Sequence, residues 1–164
     1  MNSAPIGPAE RARILRQLLA ADAFEEFLQA RYVGQKRFSL EGAAALIPML
    51  DVMIEGAGAL GVEQIVIGMS HRGRLNVLAH VMRKTYAHIL AEFKEAQGDQ
   101  PFREDLGWTG DVKYHAGARA RVREEDSAPE VVISMPPNPS HLEFVNPVVV
   151  GMARASCTDT IRGR

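Results

Sequence analysis

Two short apolar runs, each cut off before a Ser-His pair, restrict most what this chain can fold into. The first lies in IVIGMSHRGRLNVL at 65–78: it ends at Met69, and apolar residues then resume at helical spacing as Leu75, Leu78, Val81 and Met82. The second, at 131–135, stops at Pro136-Pro137-Asn138-Pro139, after which Ser140-His141-Leu142-Glu143 has the spacing of a capping box. Nearly continuous runs rich in β-branched residues mark strands buried on both faces, as in a parallel sheet covered by helices. The expected class is therefore α/β, with two strand–loop–helix units.

The remaining periodicity is helical. Pro8 suits a first turn, with Ile14, Leu15, Leu18 and Leu19 on one face. Asp22 with Glu25 predicts a fresh N-cap leading to Phe24, Phe27 and Leu28, and Gly34 a stop. Ser39 is expected to cap a helix carrying Ala43, Ile47, Leu50 and Ile54, with Pro48 kinking it or marking its true start. Thr85 caps another through Tyr86, Ile89, Leu90 and Phe93, and Asn146-Pro147 restarts one. Residues 96–129 read as a long exposed connection whose Arg119, Arg121 and Arg123 are solvated charges. This divides the chain into an N-terminal helical segment, 1–61, and a partial α/β domain, 62–164.

The totals remove several classes of function. Nineteen Lys plus Arg against twenty Asp plus Glu give a net charge of -1, so nothing draws the chain as a whole to nucleic acid or an anionic membrane. With 46% hydrophobic and 24% charged residues over 164 positions, it can bury one real core. A single Cys157 forms no internal disulfide and fits a reducing compartment. No apolar run approaches the roughly 18 residues of a membrane span, and MNSAPIGPAER lacks the pattern of a secretory signal. A soluble intracellular chain is expected. Two doubly buried strands fall short of the roughly five or six of a complete doubly wound sheet. Their uncovered edges, and a stop at Arg164 in a charged stretch, read as a piece of something longer that is partly folded or self-associates when alone.

Among the five histidines, His80 and His88 fall within predicted helices and read as ordinary boundary residues. His71, His115 and His141 fall in loops beside glycine or a helix start, where function concentrates. Metal ligation has no supporting spacing, since there is neither HExxH nor a cysteine pair. A Ser-His nucleophile at Ser70-His71 or Ser140-His141 is disfavoured because adjacent side chains diverge and no GxSxG turn exists. The glycine-rich stretches match neither dinucleotide nor P-loop fingerprints. Arg72, Arg74 and the helix start at Gly73 suit an anionic ligand at the carboxyl end of a strand. Residue chemistry alone reaches a His/Arg-lined anion site and no reaction.

Four motifs in order take the reading further: RFSLEGAAALIPML at 37–50, GMSHRGRLNVL at 68–78, GDVKYHAG at 110–117 and NPSHLEFVNPVVVG at 138–151. Together, over essentially residues 10–160, they resemble the decarboxylating first component of the 2-oxoglutarate dehydrogenase complex. The resemblance implies a thiamine-diphosphate-binding, transketolase-like parallel-sheet domain of which only a fragment is present. It also implies thiamine diphosphate and Mg²⁺ as cofactors, 2-oxoglutarate as substrate, and oxidative decarboxylation within the tricarboxylic acid cycle. The thiazolium ring takes up the electron pair left by carbon dioxide, and the succinyl group passes to a lipoyl group of the partner dihydrolipoyl succinyltransferase. A homodimer in the full-length protein and a bacterial cytoplasm, or a mitochondrial matrix in a eukaryote, follow in the same way.

By motif position, His71 and His115 resemble the catalytic histidines that hold substrate carboxylates. Ser140 resembles a residue touching both substrate and cofactor, and Arg72 and Leu142 resemble cofactor contacts. His141, in the same loop, is a further candidate. Family members continue into a Gly-Asp segment and an Asn that hold Mg²⁺ and diphosphate, and to a distant glutamate that activates the cofactor. These lie outside the chain, so the expected metal ligands do too, and the chain alone is expected to be inactive. Pro136-Pro137 and the Arg-rich stretch after Gly117 depart from the usual pattern. A 2-oxoadipate-specific homologue, or a catalytically dead docking module, is the alternative.

Overall fold

The computed structural model describes residues 5–95, 113–123 and 130–162. Helix α1, Pro8–Arg31, opens with proline at its first position and packs Ala21, Phe24 and Leu28 inward. The break expected at Asp22 does not occur. Glu25 is drawn into the interior instead, where Oε1 accepts from the Leu40 N–H at 3.1 Å and from Asn76 Nδ2 at 3.0 Å. It has no reciprocal capping role, and the helix runs on.

Helix α2 spans Leu46–Ala59, with Pro48 in its first turn, where a missing N–H costs nothing. Ser39 caps a turn rather than this helix, its hydroxyl accepting from the Glu41 N–H at 3.0 Å. Strand β1 is Gln64–Val66, followed by α3, Arg74–His80, and α4, Tyr86–Glu95. Thr85 does sit at the head of α4, where its hydroxyl accepts from the His88 N–H at 3.4 Å.

Strands β2, Ala118–Val122, and β3, Val131–Met135, complete a sheet of order β1-β3-β2. β1 runs parallel to β3 with Ile65 opposite Ile133, whereas β2 is antiparallel to β3 with Ala118 opposite Met135. The sheet is thus mixed, and the expected all-parallel arrangement is corrected by β2. By its charges alone its sequence, ARARV, resembles solvated loop. The period-2 pattern turns Arg119 and Arg121 outward and buries Val122, and Glu130 pairs with Arg121 at 3.2 Å. The rest of the expected connection, 96–112 and 124–129, lies outside the described residues. β1 is also shorter than the apolar run that ends at Met69 and only partly buried, because it forms an edge.

Central β3 buries Val131, Ile133 and Met135 against a core shared with α1, α3 and α4, including Leu78, Ile89 and Phe93. Helix α5, Leu142–Arg162, crosses β1 and continues through Pro147 without the restart expected there. Pro147 removes a bond to the Glu143 carbonyl, but that turn is exposed and water can replace it. Val145 is buried, while Phe144, Val148 and Val150 stay exposed. Among the described residues, no helix is long and apolar enough to cross a membrane.

A polar chain runs through this core. Asn76, fully buried, donates to the Ala21 carbonyl and to Glu25, and its Oδ1 accepts a hydrogen bond from His80 Nδ1 at 2.6 Å. His80 Nε2 meets the Tyr86 hydroxyl at 2.8 Å. Both acceptors at Nδ1 are carbonyl oxygens, so Nδ1 carries the proton and Nε2 receives from tyrosine. Burial lowers the His80 pKa from 6.5, against smaller raising contributions from the Asn76 carbonyl and Glu25.

Two outcomes follow from these contacts. Gly73 has φ +72, and a Cβ there would strike the buried Leu40 side chain. Gly73→Ala should therefore lower stability by roughly 2–4 kcal/mol through left-handed strain and overpacking, read by chemical denaturation. For His80, the unfolded chain binds the proton more tightly than the folded one. Its contribution is present above pH 6.5 and is lost as pH falls from there toward the lowered folded value. Thermal midpoints of His80→Gln measured across pH 5–8 should show a shallower acid slope than those of the unsubstituted protein.

Candidate functional site at the strand ends

Parallel pairing of β1 with β3, and the antiparallel start of β2 beside Met135, bring segments 67–73, 113–117 and 136–141 to one end of the sheet. That is where a parallel α/β arrangement gathers its ligands. Gly117 permits the close approach: a Cβ there would lie 2.8 Å from the Met135 carbonyl oxygen and 2.9 Å from the Pro137 nitrogen.

Two of the expected residues meet here. His71 and His115 lie with ring centroids 4.9 Å apart. His71 is only 4% exposed, stacked on Tyr114 at 5.7 Å and edge-on to Phe38 at 5.2 Å. Phe38 is itself fixed, its N–H donating to the Tyr114 hydroxyl at 3.1 Å and its carbonyl accepting from the Gly73 N–H at 2.9 Å. His115 is half-buried, and its carbonyl accepts from the Asn138 N–H at 3.2 Å. Lys113, also buried, lies over the Phe93 ring at 4.6 Å.

Arg74 does not serve the site as an anion ligand. It is fully buried, and among the described residues it donates to carbonyl oxygens: Ala116 at 2.8 Å, Pro136 at 2.9 Å, Met69 at 3.3 Å and the Asn138 side chain at 2.6 Å. Burial lowers its pKa to about 10, which leaves it cationic at neutral pH. Two donors at the N-terminus of α3 are taken as well, the Gly73 N–H by the Phe38 carbonyl and the Arg74 N–H by the His71 carbonyl. The charge expected at a ligand is instead a structural cation that ties the loops carrying the histidines.

The other expected residues stand apart from this pair. Arg72 is exposed, its Nη2 donating to the Glu41 carbonyl at 2.9 Å. Ser140 and His141 are exposed at the approach to α5, with Ser140 Oγ 3.2 Å from His141 Nδ1, and Leu142 is 42% exposed. They share the same end of the sheet through the continuous segment from Asn138.

Sequence reasoning missed Asn138. Its Nδ2 donates to the carbonyls of Met69 at 2.9 Å and Pro139 at 2.6 Å, and its own carbonyl faces His71 Nε2 at 3.2 Å. A signal existed. Prolines at 136, 137 and 139 have no N–H, so this loop carries unanswered carbonyls and few donors. Asn138 and Arg74 supply the donors.

No family model matches the chain. It is 49% identical over 152 residues to the 2-oxoglutarate dehydrogenase E1 component of Bacillus mycoides (strain KBAB4), covering 93% of this chain and 16% of that protein. It is 51% identical over 153 residues, with the same coverage, to the proteins of that name from Bacillus cereus (strain B4264) and Bacillus anthracis (strain A0248). The chain thus spans 16% of the length of these curated relatives. At about half identity along 93% of its residues, it is homologous to 2-oxoglutarate dehydrogenase E1 components.

Proposed function

We propose that this chain forms the substrate-facing part of a thiamine-diphosphate-dependent 2-oxoglutarate dehydrogenase E1 component, with His71 and His115 holding the carboxylates of the 2-oxo acid. The observation that carries the reading is the imidazole pair, 4.9 Å apart, on loops tied together by a buried guanidinium whose hydrogen-bond acceptors are all neutral among the described residues. Among the described residues no carboxylate cancels the Arg74 charge, and in a low-dielectric setting that charge favours an anion nearby.

The residues present also suit a diphosphate cofactor. Arg72 offers an exposed guanidinium, and the Ser140 hydroxyl and Leu142 side chain are accessible at the head of α5. When bound, thiamine diphosphate supplies the electron sink that decarboxylation of a 2-oxo acid requires, with Mg²⁺ neutralising its diphosphate. The chain's own side chains bind and orient. The aromatic walls of Phe38 and Tyr114 keep water from one side of His71 and hold its ring in place. In a homodimeric full-length enzyme the acceptor would be the lipoyl disulfide of a dihydrolipoyl succinyltransferase, which would be reduced to the dithiol level as it takes the succinyl group.

Steady-state kinetics on the full-length polypeptide test this division of labour. His115→Ala should raise KM for 2-oxoglutarate roughly ten- to a hundredfold, the loss of one hydrogen bond to a charged group, and leave thiamine diphosphate half-saturation unchanged. Arg72→Ala should show the opposite bias. Equal loss of cofactor binding in both variants, with substrate dependence untouched, would contradict the assignment. Turnover of 2-oxoadipate in preference to 2-oxoglutarate would keep the site and change the substrate.

A further inference from the structure

We propose that Arg74 and Asn138 act as the positioning pair of this site, fixing the tautomer and ring plane of His71 and its separation from His115. The inference rests on the reading that His71 and His115 hold the substrate. A carbonyl oxygen only accepts, so the 3.2 Å contact between His71 Nε2 and the Asn138 carbonyl puts the proton on Nε2. With Nε2 committed to this carbonyl, His71 can donate to a substrate carboxylate only from Nδ1 of the doubly protonated ring, since the neutral ring presents a lone pair there. Which nitrogen is protonated decides whether an imidazole donates to a ligand or accepts from it.

The Asn138 carbonyl is not held by its own loop alone. Its side chain is clamped from both directions, accepting from Arg74 at 2.6 Å and donating to Met69 and Pro139. Arg74 in turn ties Met69, Ala116 and Pro136, one carbonyl from each segment that carries the site. The Asn138 N–H reaches the His115 carbonyl. Both histidines therefore hang on the same two residues, through backbone, while neither Arg74 nor Asn138 is exposed beyond 5%. Their effect on a ligand passes through His71 and His115.

The test is a double-substitution cycle in the full-length protein, read by calorimetric titration of 2-oxoglutarate with thiamine diphosphate left out, so that no turnover occurs. Arg74→Lys keeps the charge but cannot reach all four carbonyls. It should weaken 2-oxoglutarate binding about tenfold when His71 is present and by less than about twofold in a His71→Ala background, the non-additivity of groups acting through one another. Thiamine diphosphate affinity should stay unchanged in Arg74→Lys. Equal weakening in both backgrounds would mean a general structural role and overturn the proposal. If Arg74→Lys does not fold, Asn138→Ala is read by the same cycle. No loss of affinity in His71→Ala alone, or no binding by the unsubstituted protein, overturns the substrate reading and the inference with it.

Discussion

The site end of this molecule depends on one buried cation. Arg74 sits at the first position of α3 with no exposed surface, and its donors go to carbonyl oxygens on three separate segments. Burying an unpaired charge costs several kcal/mol unless its hydrogen bonds are met. Here they are met by backbone that would otherwise be orphaned, because prolines 136, 137 and 139 leave that loop rich in acceptors and poor in donors. Guanidinium and loop are each costly alone and compatible together. Removing either leaves the other unsatisfied in a dry setting, which is why the three segments keep a common geometry.

That dependence explains what the sequence disclosed and what it hid. The strand–loop–helix units at 65–78 and 131–142 were legible because β-branched runs and helical spacing are local signals. The histidine pair was legible as loop residues beside glycine. Strand β2 was hidden by its arginines, although ARARV carries the period-2 alternation of a strand with one wet face. The continuity of α1 through Asp22 was also hidden, since Glu25 has a tertiary use, binding Leu40 and Asn76, that outweighs a local cap. Arg74 was misassigned for a related reason. A guanidinium beside glycine at a helix start has the same local appearance whether it meets a ligand or a carbonyl 62 residues away.

The two halves of the molecule differ in how completely they are covered. On one side of the sheet, α1, α3 and α4 close over Val131, Ile133 and Met135. On the other, α5 buries Val145 against the edge strand and leaves Phe144 64% and Val150 69% exposed. The site straddles this boundary. His71, Asn138 and Tyr114 belong to the closed half, each below 6% exposure, whereas Ser140, His141 and Leu142 stand on the open half only a few residues further on.

This placement bears on how the proposed roles divide. Residues that must orient a small dianion need fixed side chains, and a misplacement of about 1 Å can cost a hundredfold in rate. The closed half supplies that fixity, through stacked rings and the Arg74–Asn138 clamp. A diphosphate cofactor is larger and gathers contacts from more of the surrounding protein, so accessible side chains such as Arg72, Ser140 and Leu142 suit it better. Asn138 is the residue at which the two regimes meet. Its carbonyl orients His71, and the chain leaving it carries Ser140 to the head of α5. On the proposed roles, a change there would reach the substrate side through a hydrogen bond and the cofactor side only through the covalent chain.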